Sequence, residues 1–212
     1  MDSQAPHQVK EHHVHQRHFD RLVMLSDGIF AIAMTLSAVE LKPDISPGES
    51  LAKIWAVPLG IYFLSFFIIG GVWARHRRTL AHLYRVDEWV TVASLLLLSL
   101  VGLMPVFIRE MLTDESGMHV NGMLMYALAL MSIYTSLLLG WGYAAFIGRL
   151  APDVPRPRAW AWLLEDLVVV AAFGALALFS IDLTVPACLV VLVAASLRVL
   201  STRLGKAAKL LG

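Results

Sequence analysis

Asp27 is the residue in this sequence whose chemistry most needs a partner. It lies in the stretch Arg21-Leu-Val-Met-Leu-Ser26-Asp27-Gly28-Ile-Phe-Ala-Ile-Ala-Met-Thr35-Leu, which is otherwise almost wholly apolar. A carboxylate more than a turn inside an apolar helix is costly unless it is paired, hydrated or protonated. Arg21 stands outside the i+3/i+4 neighbourhood in which helix side chains meet. The candidates are Arg75, His76, Arg77 and Arg78 at the end of the next apolar stretch, or Arg21 turned around. Two chemistries fit: a structural clamp between helices, or a site that carries protons or cations. His76 can donate to a carboxylate from either ring nitrogen. Trp73 and His76 lie at the depth of Asp27, where an interfacial anchoring role is equally open.

Other chemistry-bearing residues point to less. His7, His12, His13, His15 and His18 are not contiguous, and Gln, Lys and Glu surround them. They read as a solvated tail rather than a metal site. The single cysteine, Cys188, excludes an intramolecular disulfide framework and reads as a small buried hydrophobe. There is no phosphate loop, His-Glu-x-x-His helix, nucleophile elbow or dinucleotide fingerprint. A TVGYG-type filter loop is also missing. We therefore assign no catalytic residue, no metal, no cofactor and no nucleic-acid partner.

The elements that must position Asp27 are membrane helices. The 212-residue chain is 58% hydrophobic and 16% charged, with a mean hydropathy of +0.69. A soluble domain carries roughly 25% charged residues, so lipid is the solvent this composition fits. About 20 residues of helix cross a bilayer. Six segments approach that length: Leu22–Leu41, Ile54–Ala74, Trp89–Ile108, Met123–Ile147, Trp160–Ser180 and Val185–Leu204. Ile181–Thr184 makes a tight hairpin between the last two, and Pro105 kinks or ends the third. The fold expected is an all-α integral membrane protein with six transmembrane helices per subunit.

Arginines and lysines set the orientation. Lys10, Arg17, Arg21, Arg75, Arg77, Arg78, Arg85, Arg149, Arg156, Arg158, Arg198, Arg203, Lys206 and Lys209 share one side. The other side has Lys42, Lys53 and Arg109 against Glu40, Asp44, Glu49, Glu110, Asp114, Glu115 and Asp182. By the positive-inside rule both termini are cytoplasmic. Tryptophans 55, 73, 89, 141, 160 and 162 fall near span ends, as in an aromatic belt. Residues 1–19 form a polar, His-rich cytoplasmic tail without the apolar core of a signal peptide. Residues 20–205 form the membrane domain, and 206–212 a short basic cytoplasmic end.

On a helical wheel Gly28, Ile32, Thr35, Leu36 and Val39 fall within about 60° of one line. Asp27, Ala31, Met34 and Ala38 fall on a nearly opposite, small-residue side, which close helix approach favours as the packed one. The Ile32 stripe faces lipid, another helix or a symmetry axis, and periodicity does not choose. Gly70 and Gly71 likewise permit a tight helix contact.

The first span, Arg21-x-x-x-Leu25-Ser26-Asp27-Gly28-Ile29-Phe30-Ala31-Ile32-Ala33-x-Thr35-Leu36, resembles the R-x-x-x-F-S-D signature of the transmembrane protein 175 family. The similarity is to its prokaryotic branch of potassium channels. Ser65-Phe66-x-x-Ile69-Gly70-x-x-Trp73-x-x-His76-x-Arg78 is similar to that family's next landmark, and Leu103-Met104-Pro105 is similar in the third span. The likeness covers three spans, and beyond them rests on topology. It departs at Leu25 (phenylalanine in the signature), at Arg77 (histidine) and at Leu80 (aromatic). Val39 is smaller than the leucine often found there.

The resemblance implies a homotetramer in a prokaryotic cell membrane, each first helix lining a central pore. Ile32 would form the apolar constriction and Thr35 a ring of hydroxyls, with Gly28, Leu36 and Val39 lining the rest. Arg21, Ser26, Asp27, Trp73 and His76 would form the polar network holding that helix. The function implied is a potassium-preferring cation channel, with membrane lipid and permeant monovalent cations as its partners. A proton-coupled transporter using Asp27, or a non-conducting membrane scaffold, are the alternatives. Glu40, Asp44 and Glu49 either concentrate cations at the outer mouth or form a solvated loop.

Overall fold

The computed structural model describes residues 5–41, 50–112 and 122–210, with side chains over 17–41, 50–111 and 122–207. All its regular structure is helical: α1 Ala5–Leu36, α2 Leu51–Ala81, α3 Glu88–Gly102, α4 Met104–Leu112, α5 Gly122–Gly142, α6 Arg156–Ser180 and α7 Thr184–Leu210. A π-helical turn, Tyr143–Ile147, extends α5. Asp44, Glu49, Asp114, Glu115 and the tail histidines before residue 17 lie outside the described side chains.

Five helical segments are long and apolar enough to cross a bilayer: Leu51–Ala81, Glu88–Met111, Gly122–Ile147, Arg156–Ser180 and Thr184–Ala207. The chain is an all-α, multi-pass membrane protein. The first helix stands apart from these five, since its apolar part carries Arg21 and Asp27.

The third predicted span is two helices. Leu103 forms a turn between α3 and α4, and Pro105 follows within the first turn of α4. A proline there removes no intrahelical bond, whereas continuing α3 through it would set its ring against the carbonyl four residues back. Asp87 starts α3 by accepting from Val90 N at 2.9 Å, a side-chain N-cap. Its other oxygen accepts from the Tyr143 hydroxyl at 2.8 Å, tying the α2–α3 corner to the end of α5. The α6–α7 hairpin closes with Leu183 N on Leu178 O at 3.0 Å and Asp182 N on Phe179 O at 3.1 Å. Asp182 takes φ 62°, so an aspartate occupies the left-handed position that glycine usually fills in this motif.

Two apolar cores lie at different levels of the bundle. One joins Phe30 and Ala33 of α1 to Ile69, Leu98, Met104 and Leu130. The other gathers Leu22, Leu80, Val90, Trp141 and Leu150. α6 packs on both α5 and α7, while α1 packs on α2 and α3.

Several sequence expectations change here. Trp141 is buried, its Nε1 donating to Ala159 O at 3.0 Å, so it is core and not belt. Trp162 also turns inward, 5.1 Å from the Trp141 ring. Trp55, Trp89 and Trp160 are the outward-facing ones. Cys188 is exposed on α7 rather than buried. Gly70 makes no close helix contact, since a Cβ there would meet nothing within 4 Å. Tighter approaches lie at Gly122, where a Cβ would fall 2.5 Å from Glu110 O, and at Gly142, where it would come within 3.3 Å of Leu163.

Candidate functional site

α1 has three faces rather than two. Leu22, Ser26, Phe30, Ala33 and Ser37 recur at intervals of three and four, and all are buried. This is the stripe that packs on α2 and α3. Of the side expected to pack, Met34 is half-buried against the core, while Asp27, Ala31 and Ala38 are exposed in the folded chain. Ser26 and Asp27 are adjacent, hence about 100° apart on the helix, and burial follows Ser26. Gly28, Ile32, Thr35, Leu36 and Val39 form the third face, and all five are exposed. Ile32 is 62% and Val39 69% exposed, with no partner among the described residues to explain their apolarity. α1 itself stops at Leu36; Ala38 N bonds Thr35 O at 3.1 Å and Val39 N bonds Leu36 O at 2.9 Å, a tighter i+3 turn.

Two side-chain bonds attach α1 to α2. Trp73 Nε1 donates to Asp27 Oδ1 at 2.7 Å. Ser26 Oγ lies 3.2 Å from His76 Nε2 and donates its own proton to Leu22 O at 2.7 Å. Residues 73 and 76 are three apart, so one face of α2 carries both partners. Asp27 therefore finds an indole, and among the described residues it bonds none of the five candidates named from the sequence. Arg77 lies over the Trp73 ring, 5.3 Å from its centroid, where the positive charge meets the negative face of the indole. Arg21 is exposed and forms no ion pair with another described residue.

Arg75 and Arg78 point to the far side of α2, toward α5 and α6. Arg75 Nε lies 3.1 Å from Asp166 Oδ1, an ion pair whose N–H is not aimed well enough at that oxygen for a hydrogen bond. Its Nη1 donates to the Tyr134 hydroxyl at 3.3 Å. Arg78 Nη2 lies 3.7 Å from Glu165 Oε2, and its guanidinium sits 4.4 Å from the Trp162 ring centroid. Sequence reasoning missed this second latch, although its signal was present. Glu165 and Asp166 are adjacent acids inside an apolar span, and the argument made for Asp27 applies equally to them.

Of the departures from the channel signature, Leu25 faces outward and Leu80 is buried in the core that gathers Leu22 and Trp141. Arg77 covers Trp73. α2 thus grips α1 with one face and α5 and α6 with the other.

The family described as endosomal/lysosomal potassium channel TMEM175 matches residues 21–105, a stretch that contains both halves of the α1–α2 attachment. Over these residues the chain is similar to that family. The chain is 29% identical to a Streptomyces collinus protein named potassium channel B446_29190. That similarity runs over 150 residues, 66% of this chain and 72% of the relative. It is 23% identical over 130 residues to the Danio rerio endosomal/lysosomal proton channel TMEM175. There it spans 59% of this chain but 25% of the zebrafish protein. No solved structure matches. Both relatives are channels by name, one for potassium and one for protons.

Proposed function

We propose that the chain is a potassium-preferring cation channel in a cell membrane, a homotetramer with both termini cytoplasmic. α1 crosses the membrane as the sixth span, and four copies of it line the pore. One observation carries this reading: the exposed stripe through Gly28, Ile32, Thr35 and Leu36 on a helix anchored by its other side. Lipid satisfies a lone apolar stripe, and also a hydroxyl bonded to its own helix. What favours a pore wall here is that Thr35 stands beside Ile32 in the segment similar to a channel family. Thr35 Oγ1 donates to Ala31 O at 2.9 Å or Ile32 O at 3.1 Å. With the proton held on the backbone, the oxygen's lone pairs face outward, the orientation a partly dehydrated cation requires.

In this reading the Ile32 ring is an apolar neck that excludes water until it dilates. Selectivity is modest because hydroxyls, not a carbonyl cage, replace the lost hydration. Asp27 positions the pore helix rather than carrying ions. Protons are a second permeant ion to test, given the name of the zebrafish relative.

The deciding experiment places purified protein in liposomes under potassium, sodium and proton gradients. Wild type should pass potassium faster than sodium, and Ile32→Asn should raise cation flux several-fold by wetting the neck. Unchanged flux in Ile32→Asn would put the pore elsewhere. Saturable flux abolished by Asp27→Asn would instead indicate a proton-coupled transporter, and no flux at all a scaffold.

A further inference from the structure

A small cavity of about 20 Å³ lies between α2, α3 and α5, lined by His76, Thr79, Ser94 and Ser136 among apolar neighbours. Two of these residues have hydrogen-bonding capacity that the described residues leave unused. Ser26 Oγ has a single proton, which goes to Leu22 O. The contact at 3.2 Å with His76 Nε2 therefore requires the proton on Nε2. A neutral imidazole so protonated presents Nδ1 as an acceptor. His76 is buried, and no hydrogen bond reaches Nδ1 among the described residues.

Ser136 is the second. Ser132 and Thr135, on the same helix, donate to the carbonyls four residues back at 2.8 and 2.7 Å. The Ser136 hydroxyl makes no such bond and is buried without a partner. A water needs roughly 10–15 Å³ and two to four polar partners, whereas cavities that stay dry are apolar.

We propose that this cavity binds one ordered water, which donates to His76 Nδ1 and accepts the Ser136 proton. Its second proton is left for Ser94 or Thr79. The site fixes the Nε2-protonated tautomer of His76. It also extends the α1 anchor through α2 into α5, making Ser136 a positioning residue for the first helix.

The test uses the full chain in lipid. A structure at a resolution that shows internal waters should place one within about 3.2 Å of Ser136 Oγ and within reach of His76 Nδ1. Nitrogen-15 spectra should show His76 protonated at Nε2, with magnetisation passing from water to its ring. The His76 signals are identified by their loss in His76→Asn. Ser136→Ala should keep the fold and lose at least half of that transfer. A dry cavity, a direct Ser136–His76 bond, or a proton on Nδ1 alone would each overturn the proposal. If Ser136→Ala does not fold, the wild-type density and tautomer decide it alone.

Discussion

At the scale of single residues, the attachment of α1 rests on two side chains of α2, Trp73 and His76. Trp73→Phe keeps a ring in place but removes the N–H that holds Asp27. A hydrogen bond to a charged group is worth about 1.5–3 kcal/mol, so this variant should unfold earlier in a detergent melt. Asp27→Asn keeps an oxygen for the indole to reach, so it should cost less than Asp27→Ala; equal losses would show that the bond contributes little. The Arg75–Asp166 pair obeys a different rule, because Asp166 is buried. Removing one partner of a buried pair strands the other, at about 3–5 kcal/mol. Arg75→Met should therefore be strongly destabilising. Arg75→Met with Asp166→Leu should recover most of the loss, and a double variant no better than the single would refute that account.

At the scale of elements, corners and ends carry local decisions that can be tested separately. Asp87 serves both as the N-cap of α3 and as the acceptor for Tyr143. Asp87→Ala removes the cap, worth about 0.5–2 kcal/mol, and frees the end of α5. Tyr143→Phe removes only the second bond and should lower the melting temperature less. At the α6–α7 turn Asp182 holds a left-handed conformation that costs an L-residue roughly 1 kcal/mol. Asp182→Gly relieves that strain and should raise the melting temperature slightly; a lower melting temperature would show that the aspartate side chain contributes more than the strain removes.

At the scale of the whole molecule, α7 and α1 turn different kinds of surface outward. α7 shows lipid-type residues outward, with Val185, Leu189, Leu192 and Val199 all exposed, which suits the outer wall of an assembly. α1 differs, because it exposes Ile32 and Leu36 beside Asp27, Ala31 and Thr35. In the proposed tetramer its stripe meets the same stripe of other copies. Thr35→Cys in a Cys188→Ser background should cross-link into dimers under mild oxidation, and native mass measurement should give four copies. A monomer in mild detergent, or no cross-linking, would leave the α1 stripe to lipid and remove the pore.

What sequence alone determined is what depends on composition and local period. Apolar run lengths mark the helices from α2 onward, because spanning lipid requires both length and internally satisfied backbone. The third run nevertheless divides into α3 and α4, and some ends lie up to seven residues beyond the run. The need of Asp27 for a partner was equally legible, because the cost of a charge in an apolar helix is local. Which partner it found was decided by tertiary structure. Trp73, and not an arginine, reaches Asp27, because Arg75 and Arg78 are drawn to Asp166 and Glu165 on α6, more than eighty residues away in the chain. The face of α1 that packs was decided in the same way. A helical wheel separates residues by angle, but only the neighbouring helices choose which angle is buried, and they chose Ser26 over Asp27.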